Sequence, residues 1–412
     1  MTDNPNLQVA HRAPLTTNDR SSTKAADVTV VIPTFNRSNF LPEAIESLLN
    51  QTIPPRRLIV IDDGSTDDTQ EVVRHFGARI EYIRKENAGK AKALNLALTL
   101  IDTEYVWFFD DDDAAYPEAL EALIKPYITS PMLGFVAGSF DRAESKGSLF
   151  EATITKTPYP YENQSQHFQR AQLFRHCTIL MSGALLRTEA VRAIGGFNDI
   201  LLRGQDYDLM VKLASKFEFQ HCNRCVYILR EHSGLRGPNS MKHDANTRLK
   251  VWAEFESEIG EYLISQVPLE KFTLDDTSQA VEVNIRRHNY IVKAWALAPK
   301  LDSAYAFTEI ENAFKTDSST PISATEEDLL KNMFNHQFIY HRIPSISIEK
   351  LRTISRTKNG RSALRMMTKG IYWATQRRDQ SSLSRFKLLF SAAFIFSASV
   401  VFGLITPTSR SK

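Results

Sequence analysis

The chain has 412 residues, room for more than one domain, and its 42% hydrophobic and 24% charged content is that of a folded body, not a disordered or fibrous one. Fifty Lys and Arg against 48 Asp and Glu leave a net charge of +2, so no global field selects a nucleic-acid partner. Three cysteines, Cys177, Cys222 and Cys225, are too few for a disulfide framework and fit a reducing compartment.

Residues 1–26 are polar, lack an apolar h-region and read as a disordered tail with no signal peptide. Val28 to Ile32 is a short apolar strand that runs into the polar, cationic loop Pro33-Thr34-Phe35-Asn36-Arg37. Asn39 is placed to cap the next helix, with Ala44, Ile45, Leu48 and Leu49 on one face and Pro42 in its first turn. A second strand, Leu58 to Ile61, ends in Asp62-Asp63-Gly64-Ser65, where Ser65 and Asp68 have the spacing of a capping box. The pattern repeats with strand Ile80 to Ile83, the loop Lys85 to Lys90 and a helix carrying Leu94, Leu98 and Ile101.

The next strand, Tyr105 to Phe109, runs straight into Asp110-Asp111-Asp112-Asp113. Four adjacent carboxylates repel one another unless water or a cation separates them. At the C-terminal end of a parallel strand they face the crevice where open α/β sheets bind ligands. A hard divalent cation held by one or two carboxylates and completed by a substrate phosphate accounts for both facts. Strands alternating with helices, each followed by a polar loop, predict a doubly wound α/β layer. Its loops carry no glycine-rich dinucleotide fingerprint and no P-loop lysine, so phosphate must be held through metal, Arg or Lys.

Beyond a helix from about Pro117, strands are expected at Gly134 to Phe140 and Ile179 to Leu186, and Gly195-Gly196 ends a helix that begins near Thr188. Gln205-Asp206 opens another helix, with Leu209, Leu213 and Phe217 on its buried side. Cys222-x-x-Cys225 beside His221 lacks a second ligand pair and reads as a strand with two buried thiols; His167 and His176 read as packing or loop residues. From Ser240 to Ser345 the signals are helical, with Ser323 to Glu326 as a capping box. A basic segment at residues 346–387 precedes an uncharged apolar stretch at 388–405. As a helix that stretch is about 27 Å long, the lower limit for a bilayer span. The pair suggests a membrane-associated C-terminal end with the body on the cytoplasmic side of the plasma (inner) membrane.

In this order the motifs resemble those of the family 2 glycosyltransferases over roughly Val28 to Ser233. The resemblance implies a GT-A-type doubly wound mixed sheet at residues 27–238, followed by a mainly α-helical region at 239–345. VVIPTFNR resembles the opening strand and donor loop, which implies that Pro33, Thr34, Asn36 and Arg37 lie near the nucleotide. IDDGSTDDT looks like the base-recognition turn, implying Asp62 and Asp63 on the base. KENAGKAKALN resembles the segment beneath the diphosphate, with Gly89 and Lys90 facing it. FFDDDDAAYP is similar to the Asp-x-Asp signature. That implies Asp110 and Asp112 as metal ligands, Asp113 as a sugar contact, and Asp111 on the nucleotide side as the spacer whose loss matters least. GQDYDLMVKLA implies Asp206 as the general base, with Gln205 where the family usually has Glu, and Arg230-Glu231-His232-Ser233 implies His232 on the metal and diphosphate.

The implied reaction moves a sugar from a nucleoside-diphosphate sugar to a hydroxyl of a glycan or lipid-linked acceptor, with inversion and with Mg²⁺ or Mn²⁺. Charge building on the leaving diphosphate needs a cation, and the incoming hydroxyl needs a base. Two rivals stand beside it. A non-catalytic sugar-nucleotide-binding or membrane-scaffold protein would be marked by Gln205. A nucleotidyltransferase would need a glycine-rich loop that PTFNR is not.

Overall fold

A computed structural model describes residues 25–145, 149, 152–156, 164–201, 203–231, 245–274, 282–336, 339, 345–376 and 382–405. The first half alternates strand and helix: β1 (Ala26–Thr34), α1 (Leu41–Leu49), β2 (Pro55–Asp62), α2 (Thr69–Arg74), β3 (Glu81–Arg84), α3 (Lys90–Leu100) and β4 (Tyr105–Phe108). Then come β5 (Ala114–Ala115), α4 (Ala119–Thr129), β6 (Phe135–Glu144), β7 (Ile154–Thr155), α5 (Gln166–Arg175), β8 (Ala184–Arg187), α6 (Thr188–Ala193), α7 (Gln205–Lys216) and β9 (Phe219–Glu231). All join one sheet in the order β3-β2-β1-β4-β8-β6-β9-β5, with β7 on β6.

The strands β3, β2, β1 and β4 are parallel, whereas β8 runs antiparallel to β4 and to β6. The expected doubly wound mixed sheet is therefore present, parallel in its first half and mixed from β8 onward. Strand order reverses between β1 and β4, which makes the C-terminal ends of these two strands the switch-point crevice. Register brings Thr34, Asp62 and Arg84 side by side on that edge, and pairs Val31 with Phe108. The apolar runs of β1, β2 and β4 are buried on both faces, as a sheet covered by helices requires, whereas the edge strand β3 is only partly covered.

Three local expectations give way. Phe40, not Asn39, precedes α1, and no side chain caps it, because Phe40 and Leu41 turn back onto the Arg37 carbonyl. Ser65 caps nothing: its hydroxyl accepts the Asn36 N–H at 2.9 Å, and Asp68 opens α2 without a side-chain bond. Ile179 to Leu186 is not one strand, since Met181–Gly183 forms a single 3₁₀ turn before β8.

The second half is helical: α8 (Ala245–Ser265), α9 (Glu282–Leu297), α10 (Ser303–Thr316), α11 (Ala324–Asn332), α12 (Ile348–Ile354), α13 (Lys358–Ala374) and α14 (Ser382–Ile405). Ser323 and Glu326 form the expected capping box in full. One apolar core runs from Val31 and Phe108 on the sheet through Leu209 and Leu213 of α7 to Leu297, Phe307 and Met367 in the helices. The helices thus cover the sheet face behind α3, α5 and α7 rather than forming a core of their own. By length and composition Ser384–Phe402 is able to cross a membrane.

Candidate active site

Phe109 prolongs β4 by donating its N–H to the Val31 carbonyl at 2.9 Å, and the chain then turns until the Asp113 N–H reaches the Asp110 carbonyl at 3.4 Å. The turn gathers three carboxylates: oxygens of Asp110, Asp112 and Asp113 lie within 4.8 Å of one another. Asp113 is 1% exposed and accepts the Arg230 N–H at 3.1 Å and the Ser182 hydroxyl at 3.0 Å. Ser182 Oγ also accepts the Asp110 N–H at 3.1 Å, and its carbonyl accepts the Trp107 indole N–H at 2.8 Å. The 3₁₀ turn that replaced a strand is what holds the acidic turn from beneath.

Among the described residues three cationic side chains meet the turn. Lys90 Nζ, from the first residue of α3, lies 2.5 Å from Asp110, and Arg37 reaches Asp112 at 3.6 Å. The buried Arg230 donates Nε–H to the Asp112 carbonyl at 2.7 Å, lies 4.8 Å over the Phe40 ring and pairs with Glu43 of α1. Burial raises the pKa of Asp110, with Lys90 opposing and Asp112 and Asp206 adding. Asp111 is pushed up to about 7 by burial and by Asp112, against Arg37. Asp113 stands well above the ordinary range through burial and then its neighbours Asp112 and Asp110. Burial works against the Lys90 ammonium, yet Asp110, Asp206 and Asp111 hold its pKa above normal.

Asp206 sits in the first turn of α7, behind Gly204 in the left-handed region (φ 73°). Its charge acts on both Lys90 and Asp110. Gln205 Nε2 donates to the Leu201 carbonyl at 2.7 Å, so its amide serves the loop before the helix. Directly after the acid, Tyr207 donates its hydroxyl to the Leu173 carbonyl at 2.8 Å and receives the buried Lys300 ammonium at 2.6 Å; Lys300 also pairs with Glu256.

The remaining expected residues line the same sheet edge. Pro33 and Thr34 end β1, and Asn36 sits at φ 54° with Oδ1 accepting the Thr66 N–H at 2.7 Å. Asp62 is fully buried, accepting the Ser65 N–H at 2.7 Å and the Tyr82 hydroxyl. Asp63 accepts Lys85 Nζ at 2.5 Å and the N–H groups of Ala88 at 3.0 Å and Gly89 at 2.7 Å. Asp62 therefore ties the loop after β2 to β3 itself, and Asp63 ties it to the loop after β3. Gly89 opens α3 at φ 98°, with open space where a Cβ would stand, so its role is conformational. His232 lies outside the described residues.

Sequence reasoning passed over Ser182, Arg230, Glu43 and Lys300. Ser182 sat inside an expected strand and Arg230 inside a quoted motif; Glu43 and Lys300 gave no local signal, since their partners lie far away in the chain. Cys222 and Cys225 are half-buried thiols on β9 that form no disulfide, and Cys225 donates to Asp141 at 3.4 Å.

Residues 29–194 match the family model described as glycosyl transferase family 2. The chain is similar to a chondroitin synthase of Escherichia coli, 28% identical over 54% of this chain and 30% of the relative. A hyaluronan synthase of Pasteurella multocida is also 28% identical, over 54% of this chain and 21% of the relative. The chain thus spans less than a third of the length of these curated relatives. In overall fold it is similar to S. aureus TarS 1–349, in a structure described as a complex with UDP-GlcNAc, at 15% identity and TM-score 0.50 over 91% of each chain.

Proposed function

The chain belongs to the family 2 glycosyltransferases through residues 29–194, and on that premise we propose that it transfers a sugar, with inversion, from a nucleoside-diphosphate sugar to an acceptor hydroxyl. The observation that carries this is the acidic turn: three carboxylates within 4.8 Å of one another at the switch-point crevice, with Asp206 acting on the same charges. An all-oxygen donor set of crowded carboxylates fits a hard divalent cation such as Mg²⁺ or Mn²⁺. Asp110 and Asp112 would hold it, with Asp113 at the same point for the cation or the sugar. When bound, such an ion neutralises the charge that develops on the leaving diphosphate.

The chain's own residues do the rest. Pro33, Thr34, Asn36, Arg37, Asp62 and Asp63 border the nucleotide, while Gly89 and Lys90 face the diphosphate from the start of α3. Asp111 stands on the nucleotide side. Asp206 accepts the proton of the acceptor hydroxyl as its oxygen attacks the anomeric carbon and the bond to the diphosphate breaks. Arg230 and Ser182 keep the turn from springing apart. The acceptor is a glycan or lipid-linked sugar in cell-surface polysaccharide or glycolipid synthesis, a reading supported by the named activities of the relatives. The body works at the cytoplasmic face of a membrane, to which residues 346–405 attach it.

Asp206→Asn tests the assignment. It should lower sugar transfer by about 10²–10⁴-fold while nucleotide-sugar binding, measured by calorimetry, stays within a factor of a few. Equally poor donor turnover by wild type and variant in the presence of Mn²⁺, with the donor still bound by both, would remove Asp206 from the mechanism and favour a non-catalytic sugar-nucleotide-binding protein.

A further inference from the structure

From Leu351 to Ile405 the sequence holds ten Lys and Arg and one acid, Asp379. The structure arranges part of this stretch as a hairpin of α13 and α14. Helix α14 buries one stripe, Leu388, Ala392, Ile395 and Ser399, against α12 and α13, and the first three belong to the continuous core. On the other side it exposes Phe386 (66%), Phe390 (68%) and Phe394 (39%), one helical turn apart, with Leu389 and Phe396 beside them. The neighbouring face of α13 presents Arg365, Lys369, Tyr372 and Trp373, and a groove of about 330 Å³ between the helices is lined by Lys369, Tyr372, Trp373, Leu389 and Phe396.

A soluble surface rarely leaves so many aromatic side chains in water without use. A spanning helix faces lipid all round, whereas α14 has one side built into the protein core; crossing a bilayer would strip that side from α12 and α13. Phenylalanines on a broad exposed arc, Trp and Tyr at its border, and cations beside them are the composition of a helix lying in the plane of the interface. The one-sided charge selects anionic headgroups, each Lys or Arg near the surface adding to the attraction.

We infer that α13 and α14 together form a monotopic docking surface for an anionic lipid bilayer, with α14 lying in the membrane plane and not crossing it. This deepens the membrane part of the function proposed above, and it stands or falls independently of the chemistry. Held this way, the protein keeps its body on one side of the bilayer and needs no translocated segment.

The test uses the full chain, purified and added to preformed vesicles. Cosedimentation should be strong with vesicles containing phosphatidylglycerol, at least tenfold weaker with pure phosphatidylcholine, and reversed by alkaline carbonate. Brominated lipids should quench Trp373, and the quenching should vanish in Trp373→Phe. Arg365→Glu with Lys369→Glu should cut binding to anionic vesicles at least tenfold, while Asp206→Asn binds as wild type does. Carbonate-resistant insertion would overturn the inference in favour of a span. So would a stable dimer in lipid-free solution that hides Trp373, or a protein left in the supernatant with anionic vesicles.

Discussion

Two buried charge clusters in this molecule are built on opposite terms. In the helical half Arg287 is 2% exposed, and all five of its N–H donors are used: two on Glu326, one on Asp317, and one each on the Thr320 and Pro321 carbonyls. The acids are saturated in turn. Glu326 accepts the Ser323 N–H at 2.9 Å. Burial opposes the Asp317 charge, yet bonds from Thr320 and Ser319 hold its pKa below the ordinary range. In the acidic turn four carboxylates crowd together; among the described residues Lys90 at 2.5 Å and Arg37 at 3.6 Å pair with them, and three of the four have raised pKa values. The two clusters differ in their balance: in one every donor of the cation is used, and in the other the carboxylates outnumber the cations paired with them among the described residues. A closed network holds helices together, and an open one waits for charge from outside.

Arg287→Met breaks the closed network and should cost most. It leaves two buried carboxylates without their cation, a loss of about 3–5 kcal/mol. Thermal or urea denaturation would read it, and sugar transfer by the folded protein below its melting temperature should hardly change. A cost near zero would mean that the network is not saturated as described. Asp112→Asn probes the open network and should behave in reverse. Removing one of several crowded anions leaves the melting temperature unchanged or higher, while the transfer rate falls about 10²–10³-fold, the usual cost of losing one electrostatic stabiliser. Added Mn²⁺ should raise the melting temperature of wild type more than that of the variant. If Asp112→Asn destabilises as Arg287→Met does, the turn is structural and the contrast fails.

The two clusters were not equally legible in the sequence. The acidic turn could be read because its charges are adjacent and follow an apolar strand, so one stretch contains both the strand and the reason for its end. The alternating apolar runs likewise revealed the parallel half of the sheet. What could not be read depends on long-range pairing. β8 looked continuous with Ile179 because the 3₁₀ turn at Met181–Gly183 exists to bring Ser182 beneath Asp113, a contact 69 residues away along the chain. Arg230 meets Glu43 across 187 residues, and Lys300 meets Tyr207 across 93. Asp63 looked available for a base, and only the folded chain shows its oxygens engaged by Lys85, Ala88 and Gly89. Ser323 to Glu326 was legible for the opposite reason: a capping box is complete within four residues.

The smallest expected effect sharpens the comparison, because it concerns a cationic counterpart of the acidic turn. Arg175 is buried at the end of α5, and among the described residues its guanidinium meets His176 and the carbonyls of Trp295, Asn332 and Met333; burial lowers its pKa to about 9. His176 Nε2 accepts the Arg175 Nε–H at 3.1 Å, which requires the neutral ring. Burial, then Arg175 and Lys300, depress the His176 pKa from 6.5 to about 3. Between those values the unfolded chain binds a proton that the folded chain refuses, so stability rises with pH across the window. The contribution is complete above pH 6.5 and is lost as pH falls toward about 3. His176→Gln keeps an acceptor for Arg175 but cannot titrate, so its stability should fall less steeply on acidification, by at most one proton's worth of slope. Urea melts at several values between pH 4.5 and 7 would read the difference. Parallel curves for the two proteins would show His176 protonated in the fold, and Arg175 would then need a partner other than this ring and those carbonyls.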